Sequence, residues 1–135
     1  QHLINYRCGT GHSVSFVGNV HEGPHALNGR NTVVFQPGMI VTDEPGVYEG
    51  GQVGIRIENE LMCVHKADNQ YGTFLGFEPI MFVPIATSPV VPGVLTRDEL
   101  DWLNAYHREV FTKLAPRLTE EERDWLAKKC AAIGA

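Results

Sequence analysis

Positive charge is scarce in this sequence. Only 11 Lys and Arg stand against 16 Asp and Glu, a formal net charge of −5 at pH 7. No basic patch forms, so nucleic acid is not an expected partner. Long apolar runs are missing too. None approaches the ~20 residues of a membrane-spanning helix, and no signal-peptide pattern is visible, so a membrane is not expected either. Cysteine is thin: Cys8, Cys63 and Cys130 are scattered, with neither metal-ligand nor redox spacing. That odd count fits a reducing cytoplasm better than a disulfide framework. Internal repeats and low-complexity tracts are absent. What remains is ordinary globular composition, 43% apolar and 20% charged over 135 residues, one domain's worth. The chain opens on Gln1 with strand-like sequence almost at once, the start expected of a piece of something longer.

The stretch from Val41 to Val64 organises the rest. Val53 to Val64 reads as one strand, with Ile55, Ile57 and Leu61 on one face and Arg56, Glu58 and Glu60 on the other. The run before it, from Met39, also reads as a strand and stops at Pro45-Gly46. Gly50-Gly51 joins the two as a turn, so they can pair antiparallel and bring Glu44 and Glu58 onto one face. Two carboxylates in an apolar setting repel each other and are costly to desolvate. A hard divalent cation between them removes that cost. The alternatives are a solvated strand end for Glu44 and an ion pair with Arg56 for Glu58. His12 adds an imidazole, which makes His12, Glu44 and Glu58 a candidate metal set. Alone, His12 also reads as a hydrogen-bonded core or turn histidine.

Other segments are read more coarsely. Val14, Phe16, Gly18 and Val20 alternate with polar or small neighbours and predict a strand. Glu22-Gly23-Pro24 is a turn, which forbids a helical zinc motif after His21. Residues 25–32 are a loop, Thr32 to Phe35 a short β-branched run, and Gln36-Pro37-Gly38 a turn. Residues 66–70 are a polar turn, and Phe74 to Phe77 begins another strand. Pro79 and Pro84 place Ile80–Val83 in an extended edge segment. A loop fills residues 86–95. Thr96-Arg97-Asp98-Glu99 and Thr119-Glu120-Glu121-Glu122 are capping boxes that open two helices. Leu100, Leu103, Val110 and Leu114 give the first an apolar face, and Pro116 ends it. Trp125, Leu126 and Ile133 give the second its apolar face. Trp102, Tyr106 and Trp125 are expected to pack in the core rather than to form an exposed stripe.

Four ordered motifs carry a resemblance: Gly-Thr-Gly-His at 9–12, Asn-Val-His-Glu-Gly-Pro at 19–24, Pro-Gly-Met-Ile-Val-Thr-Asp-Glu-Pro-Gly-Val-Tyr at 37–48, and Gly-Ile-Arg-Ile-Glu-Asn at 54–59. They resemble the Xaa-Pro aminopeptidases of the pita-bread metallopeptidase superfamily, which also holds methionine aminopeptidase and prolidase. Phe77-Glu78-Pro79 and the run Leu95 to His107 resemble the long cytosolic form, aminopeptidase P. The resemblance covers nearly the whole chain. It implies an α+β fold: the C-terminal half of a pita-bread domain over residues 1–85, and a helical extension over 86–135. It implies that His12 and Glu44 bind one metal of a dinuclear site, usually manganese, and that Glu58 bridges both. A water activated by the two metals would attack the carbonyl before proline, with Glu44 exchanging a proton. His21 matches a histidine that contacts substrate, while Arg56 and Tyr48 match residues that buttress the metal carboxylates.

The chain departs from the family pattern at three points. Cys8 stands where the long form usually has histidine, four residues before His12, a position that either contacts substrate or supports the metal ligands. His12-Ser13-Val14-Ser15 replaces a His-Gly-x-Gly run. The family's pair of metal-binding aspartates matches none of Asp43, Asp68, Asp98, Asp101 or Asp124. The expected parent is therefore a cytoplasmic hydrolase, dimeric, acting on peptides with proline second, and the chain alone is expected to be inactive. The competing readings are a non-catalytic folding or dimerisation module and a piece of a proline dipeptidase.

Overall fold

The computed structural model describes residues 7–91 and 93–134. The strand-like start expected at residues 1–6 lies outside them. The chain divides after Met81 into two compact units. Antiparallel strands make the first and two helices make the second, an α+β arrangement. Among the described residues, no helix is long and apolar enough to cross a membrane.

In the first unit, β1 (Ile40–Asp43), β4 (Asn59–Asn69) and β5 (Gly72–Pro79) form an antiparallel sheet in the order β1-β4-β5. β2 (Gly46–Glu49) and β3 (Val53–Arg56) form a separate two-stranded ladder. The expected single strand over 53–64 is thus interrupted at Ile57-Glu58, where the opposing segment carries Pro45, which has no N–H for the ladder. The interruption does not shift the register. Asp43 pairs with Asn59 on one side of it and Gly46 with Arg56 on the other, and Ile57 N–H still donates to Pro45 O at 3.4 Å. Glu44 and Glu58 therefore hold opposed positions inside the gap. At the hairpin tip Gly51 has φ +70°, a conformation that suits glycine.

β4 runs through residues 66–69, where a polar turn was expected, and bulges between His65 and Ala67. Cross-strand polar pairs hold the longer strand: Lys66 Nζ lies 2.6 Å from Glu78 Oε1, and Thr73 Oγ1 donates to Asp68 Oδ1 at 2.8 Å. Ile80–Val83 joins no strand, although Ile80 N–H donates to Glu60 O at 2.9 Å. Thr32–Phe35 is also outside any strand.

The strand expected over 14–20 does not form. His12 and Ser13 make isolated bridges to Ala26 and Val41, and the chain then bends. Phe16 is fully exposed, as are most of Val17 and Val20, so the alternation has no surface to pack on. Polar ties close this loop instead. Ser15 N–H donates to Asn19 O, and both Glu22 N–H and the Ser13 hydroxyl tie Ser13 to Glu22. Val41 and Cys63 are the buried apolar centre of the unit.

In the second unit, α1 spans Arg97–Leu114 and α2 spans Glu120–Lys129. Both open on complete capping boxes, Thr96 with Glu99 and Thr119 with Glu122. A 3-10 turn, Ala115–Arg117, follows α1 at Pro116. Tyr106, Val110 and Leu126 form the core, with Phe82, Ile85, Phe111, Leu114 and Leu118 packed on it. Two expectations fail here. Trp102 and Trp125 are 60% and 57% exposed rather than in the core, with only Tyr106 of the three buried. Trp102 stacks flat on Tyr106, and Lys129 lies over Trp125, which shields their faces without burying them. Ile133 falls beyond α2, where Asn104 of α1 holds its backbone by a reciprocal pair of hydrogen bonds at 3.0 Å. His107 is buried, and its Nε2 accepts from Ile85 N–H at 3.1 Å.

Candidate metal centre

Period-two geometry puts Thr42 and Glu44 on one face of the strand that ends at Pro45. The segment 10–13 runs beside that strand. Thr42 N–H donates to His12 O at 2.9 Å and Glu44 N–H donates to Thr10 O at 2.6 Å. On its other side, the same segment takes hydrogen bonds from Leu27 to Gly11 and gives one from Ser13 to His25. Gly11 makes this approach possible: a Cβ there would lie 1.8 Å from Thr42 O. His12 is thereby carried against Glu44, with Nε2 2.8 Å from Oε1.

His21 returns to the same place through the bent loop. Its ring centroid lies 4.2 Å from that of His12, edge to face. Among the described residues, His12, His21 and Glu44 form a group whose ligand atoms all lie within 4.8 Å of one another. Glu58 is exposed and stands outside this group, although it is opposed to Glu44 across the gap. Sequence reasoning separates His21 from the ligands; the loop closure at Ser13 and Glu22 that joins them leaves no periodic signal.

Glu44 is held on both oxygens. Thr42 Oγ1 donates to Oε1 at 2.9 Å, and Arg56 Nη1 donates to Oε2 at 2.6 Å. Arg56 also donates to the Glu44 carbonyl at 2.6 Å and, through Nε, to the Tyr48 hydroxyl at 2.8 Å. The Tyr48 hydrogen bond, foremost, and the Glu44 charge raise the Arg56 pKa above its ordinary value, so this cation is permanent. Cys8 donates through Sγ to Gly46 O at 3.2 Å, beside the brace. Cys8 and Thr10 also line a polar cleft of about 540 Å³ with Arg7, Asn28, Arg30 and Asn31.

The donor set fits a divalent cation. His12 Nδ1 lies 2.9 Å from Ser13 O, while Nε2 faces Glu44 Oε1, so both ring nitrogens face acceptors. A neutral imidazole has one N–H and satisfies only one of them. Positive charge is needed at the other contact, from a second proton or from a cation. With Nδ1–H donating to the carbonyl, Nε2 is the free ligand atom, the usual arrangement for a metal-bound histidine. The His12 imidazole and the Glu44 carboxylate are ligand types that suit first-row divalent metals, with the His21 imidazole beside them.

The chain belongs to metallopeptidase family M24. Residues 2–65 match that family, and residues 73–133 match the C-terminal region of peptidase M24. Within the family its similarity is to the Xaa-Pro aminopeptidases, or aminopeptidase P. It is 47% identical over 130 residues to aminopeptidase P2 of Arabidopsis thaliana, covering 91% of this chain and 18% of that protein. It is 41% identical over 138 residues to a probable Xaa-Pro aminopeptidase P of Coprinopsis cinerea, covering 96% of the chain and 22% of the relative. The crystal structure of X-prolyl aminopeptidase from Caenorhabditis elegans, described as a cytosolic enzyme with a di-nuclear active site, superposes with a TM-score of 0.79 at 39% identity. That match covers 93% of this chain and 21% of the other. The chain thus has the C-terminal part of a pita-bread fold and spans about a fifth of the relatives' length.

Proposed function

We propose that the chain supplies part of the active site of a cytoplasmic, dinuclear aminopeptidase that releases an N-terminal residue preceding proline. The observation that carries this reading is the convergence of His12, His21 and Glu44, with Arg56 and Thr42 fixing the carboxylate. In this reading residues 1–85 belong to the catalytic domain and 86–135 form its extension.

His12, Glu44 and Glu58 would hold the metals, manganese in our assignment. Two divalent ions, when bound, would polarise the scissile carbonyl and make water a better nucleophile near neutral pH. This chain's residues do the rest. Glu44 takes and returns a proton near the reacting carbonyl. His21 is exposed beside His12 and is placed to hydrogen-bond the substrate peptide. Arg56 and Tyr48 keep the Glu44 carboxylate oriented. Cys8 lines the polar cleft and would contact the substrate or brace the site from there. The sequence has no match for the aspartate pair, so the complete protein must add those ligands for turnover. We assign the complete protein as a homodimer, a reading supported by the exposed Trp102 and Trp125 of the helical unit.

The test is Glu44→Gln in the complete protein, with Glu49→Gln at the exposed end of β2 as control. Cleavage of an Xaa-Pro peptide should vanish in the first and persist in the second. Manganese affinity should fall by at least ~100-fold in the first, the upper end of what outer partners alone contribute. Native activity and manganese binding in Glu44→Gln would overturn the assignment.

A further inference from the structure

The geometry points to Thr42 as the positioning residue that couples His12 to Glu44 and sets the carboxylate oxygen facing the metal. The inference rests on reading His12 and Glu44 as ligands.

Thr42 is 2% exposed, so its hydroxyl has no water to turn to. It has two protein partners instead. Oγ1 accepts from His12 N–H at 3.0 Å and donates to Glu44 Oε1 at 2.9 Å. The first contact fixes the second. With the backbone N–H directed at the oxygen, the hydroxyl proton goes to the other neighbour, the carboxylate. A directed chain results, from the His12 main chain through Thr42 to Glu44. The Thr42 main chain closes the ring by donating to His12 O at 2.9 Å.

The consequence lies in how Glu44 is held. Arg56 grips Oε2 and the Glu44 carbonyl, but neither bond fixes where Oε1 points. Oε1 is the oxygen that faces His12 Nε2. Without the Thr42 hydroxyl, the carboxylate can turn about the Arg56 contact. Both of its oxygens would then compete for the guanidinium, and the ligand pair would lose its fixed separation. Metal sites tolerate only about 0.2 Å of such error. The Thr42 hydroxyl, two residues from the glutamate on the same strand face, reaches both partners. Valine fills the same space without the proton or the lone pair.

The test uses the complete protein stripped of metal, titrated with manganese by calorimetry at a temperature where circular dichroism shows each variant folded. Thr42→Val should bind manganese ~10–100-fold more weakly, the range for lost outer partners. It should lose kcat with little change in KM for an Xaa-Pro peptide. Thr42→Ser, which keeps the hydroxyl, should restore both. Should Thr42→Val fail to fold, Thr42→Ala takes its place. A folded variant lacking the hydroxyl that binds manganese as the native protein does would overturn the inference, as would a Thr42→Ser as weak as Thr42→Val. Glu44→Gln runs beside them. If it too binds manganese normally, the ligand assignment itself fails; if it does not bind while Thr42→Val does, only the role of Thr42 fails.

Discussion

Gly9 and Gly11 stand two residues apart in one motif, yet the structure gives them opposite fates on substitution. A Cβ at Gly9 meets nothing within 4 Å, whereas one at Gly11 meets Thr42 O at 1.8 Å, Thr42 C at 2.8 Å and Leu27 Cβ at 3.0 Å. Carbon and oxygen rest about 3.3 Å apart, so Gly11→Ala must open the contact by roughly 1.5 Å. All the nearest atoms are main chain or Cβ, so no flexible side chain can absorb it. The two hydrogen bonds between His12 and Thr42 flank this contact. Breaking both costs about 2 kcal/mol, and overpacking adds about 1–3 kcal/mol, on the order of 3–5 kcal/mol together. A displacement near 1 Å also separates His12 from Glu44, and misplacement of that size costs about 100-fold in rate. The assay pairs thermal unfolding with manganese titration of both alanine variants in the complete protein. Gly9→Ala should match the native protein in both. Gly11→Ala should melt earlier and lose most of its metal affinity. Equal behaviour of the two variants would refute the seating of residues 10–13 on β1.

The isolated 135-residue chain should not turn over an Xaa-Pro peptide, and activity of the purified chain with contaminating enzyme excluded would contradict this. Calorimetric titration of that chain with manganese should show weak binding or none; tight binding of two ions per chain would count against the missing-aspartate argument. The isolated chain should also associate, because Val47, Val53, Ile55, Phe74 and Phe77 leave much apolar surface exposed on its strands. Light scattering at micromolar concentration checks this, and a monodisperse monomer with no dye-accessible apolar surface would sink it. Burial holds the His107 pKa below its ordinary value of 6.5. The unfolded chain therefore takes up the proton first on acidification, and stability present above pH 6.5 falls as pH drops toward the folded value. Protonation would also set a donor against Ile85 N–H. Denaturant unfolding followed by Trp fluorescence should show this fall, and His107→Gln should flatten it; an unchanged slope would refute the link.

Local signals were legible where the chemistry is local. Both capping boxes form as written, because a threonine hydroxyl and the glutamate three residues on need only each other and the helix start. The antiparallel pairing that opposes Glu44 and Glu58 followed from alternation and one glycine turn. The neighbourhood of His21 was not legible, since it depends on a loop closed by Ser13 and Glu22 rather than on any period. Phe16 and Val20 misled because alternation signals a strand only where a second surface waits to pack it. Trp102 and Trp125 misled for a related reason: an aromatic on an amphipathic helix can cover its own neighbour, as Trp102 covers Tyr106, and stay wet. Thr42 carried a readable hint, a hydroxyl two positions from an acidic strand residue, but its second partner lies 30 residues away.

The unbroken register across the gap has a consequence for length variation. Because β1 with β4 and β2 with β3 keep one pairing frame, the carboxylates stay opposed whatever the hairpin tip does. Residues inserted between Gly50 and Gln52 lengthen only the tip. That makes the tip the natural place for a reporter tag or a fluorophore attachment. A single residue added within Val47–Glu49 or Val53–Arg56 is different. It must be absorbed as a bulge, or it turns every side chain between it and the tip to the opposite face. Length changes on those two short arms are thus constrained to matched pairs, one on each strand.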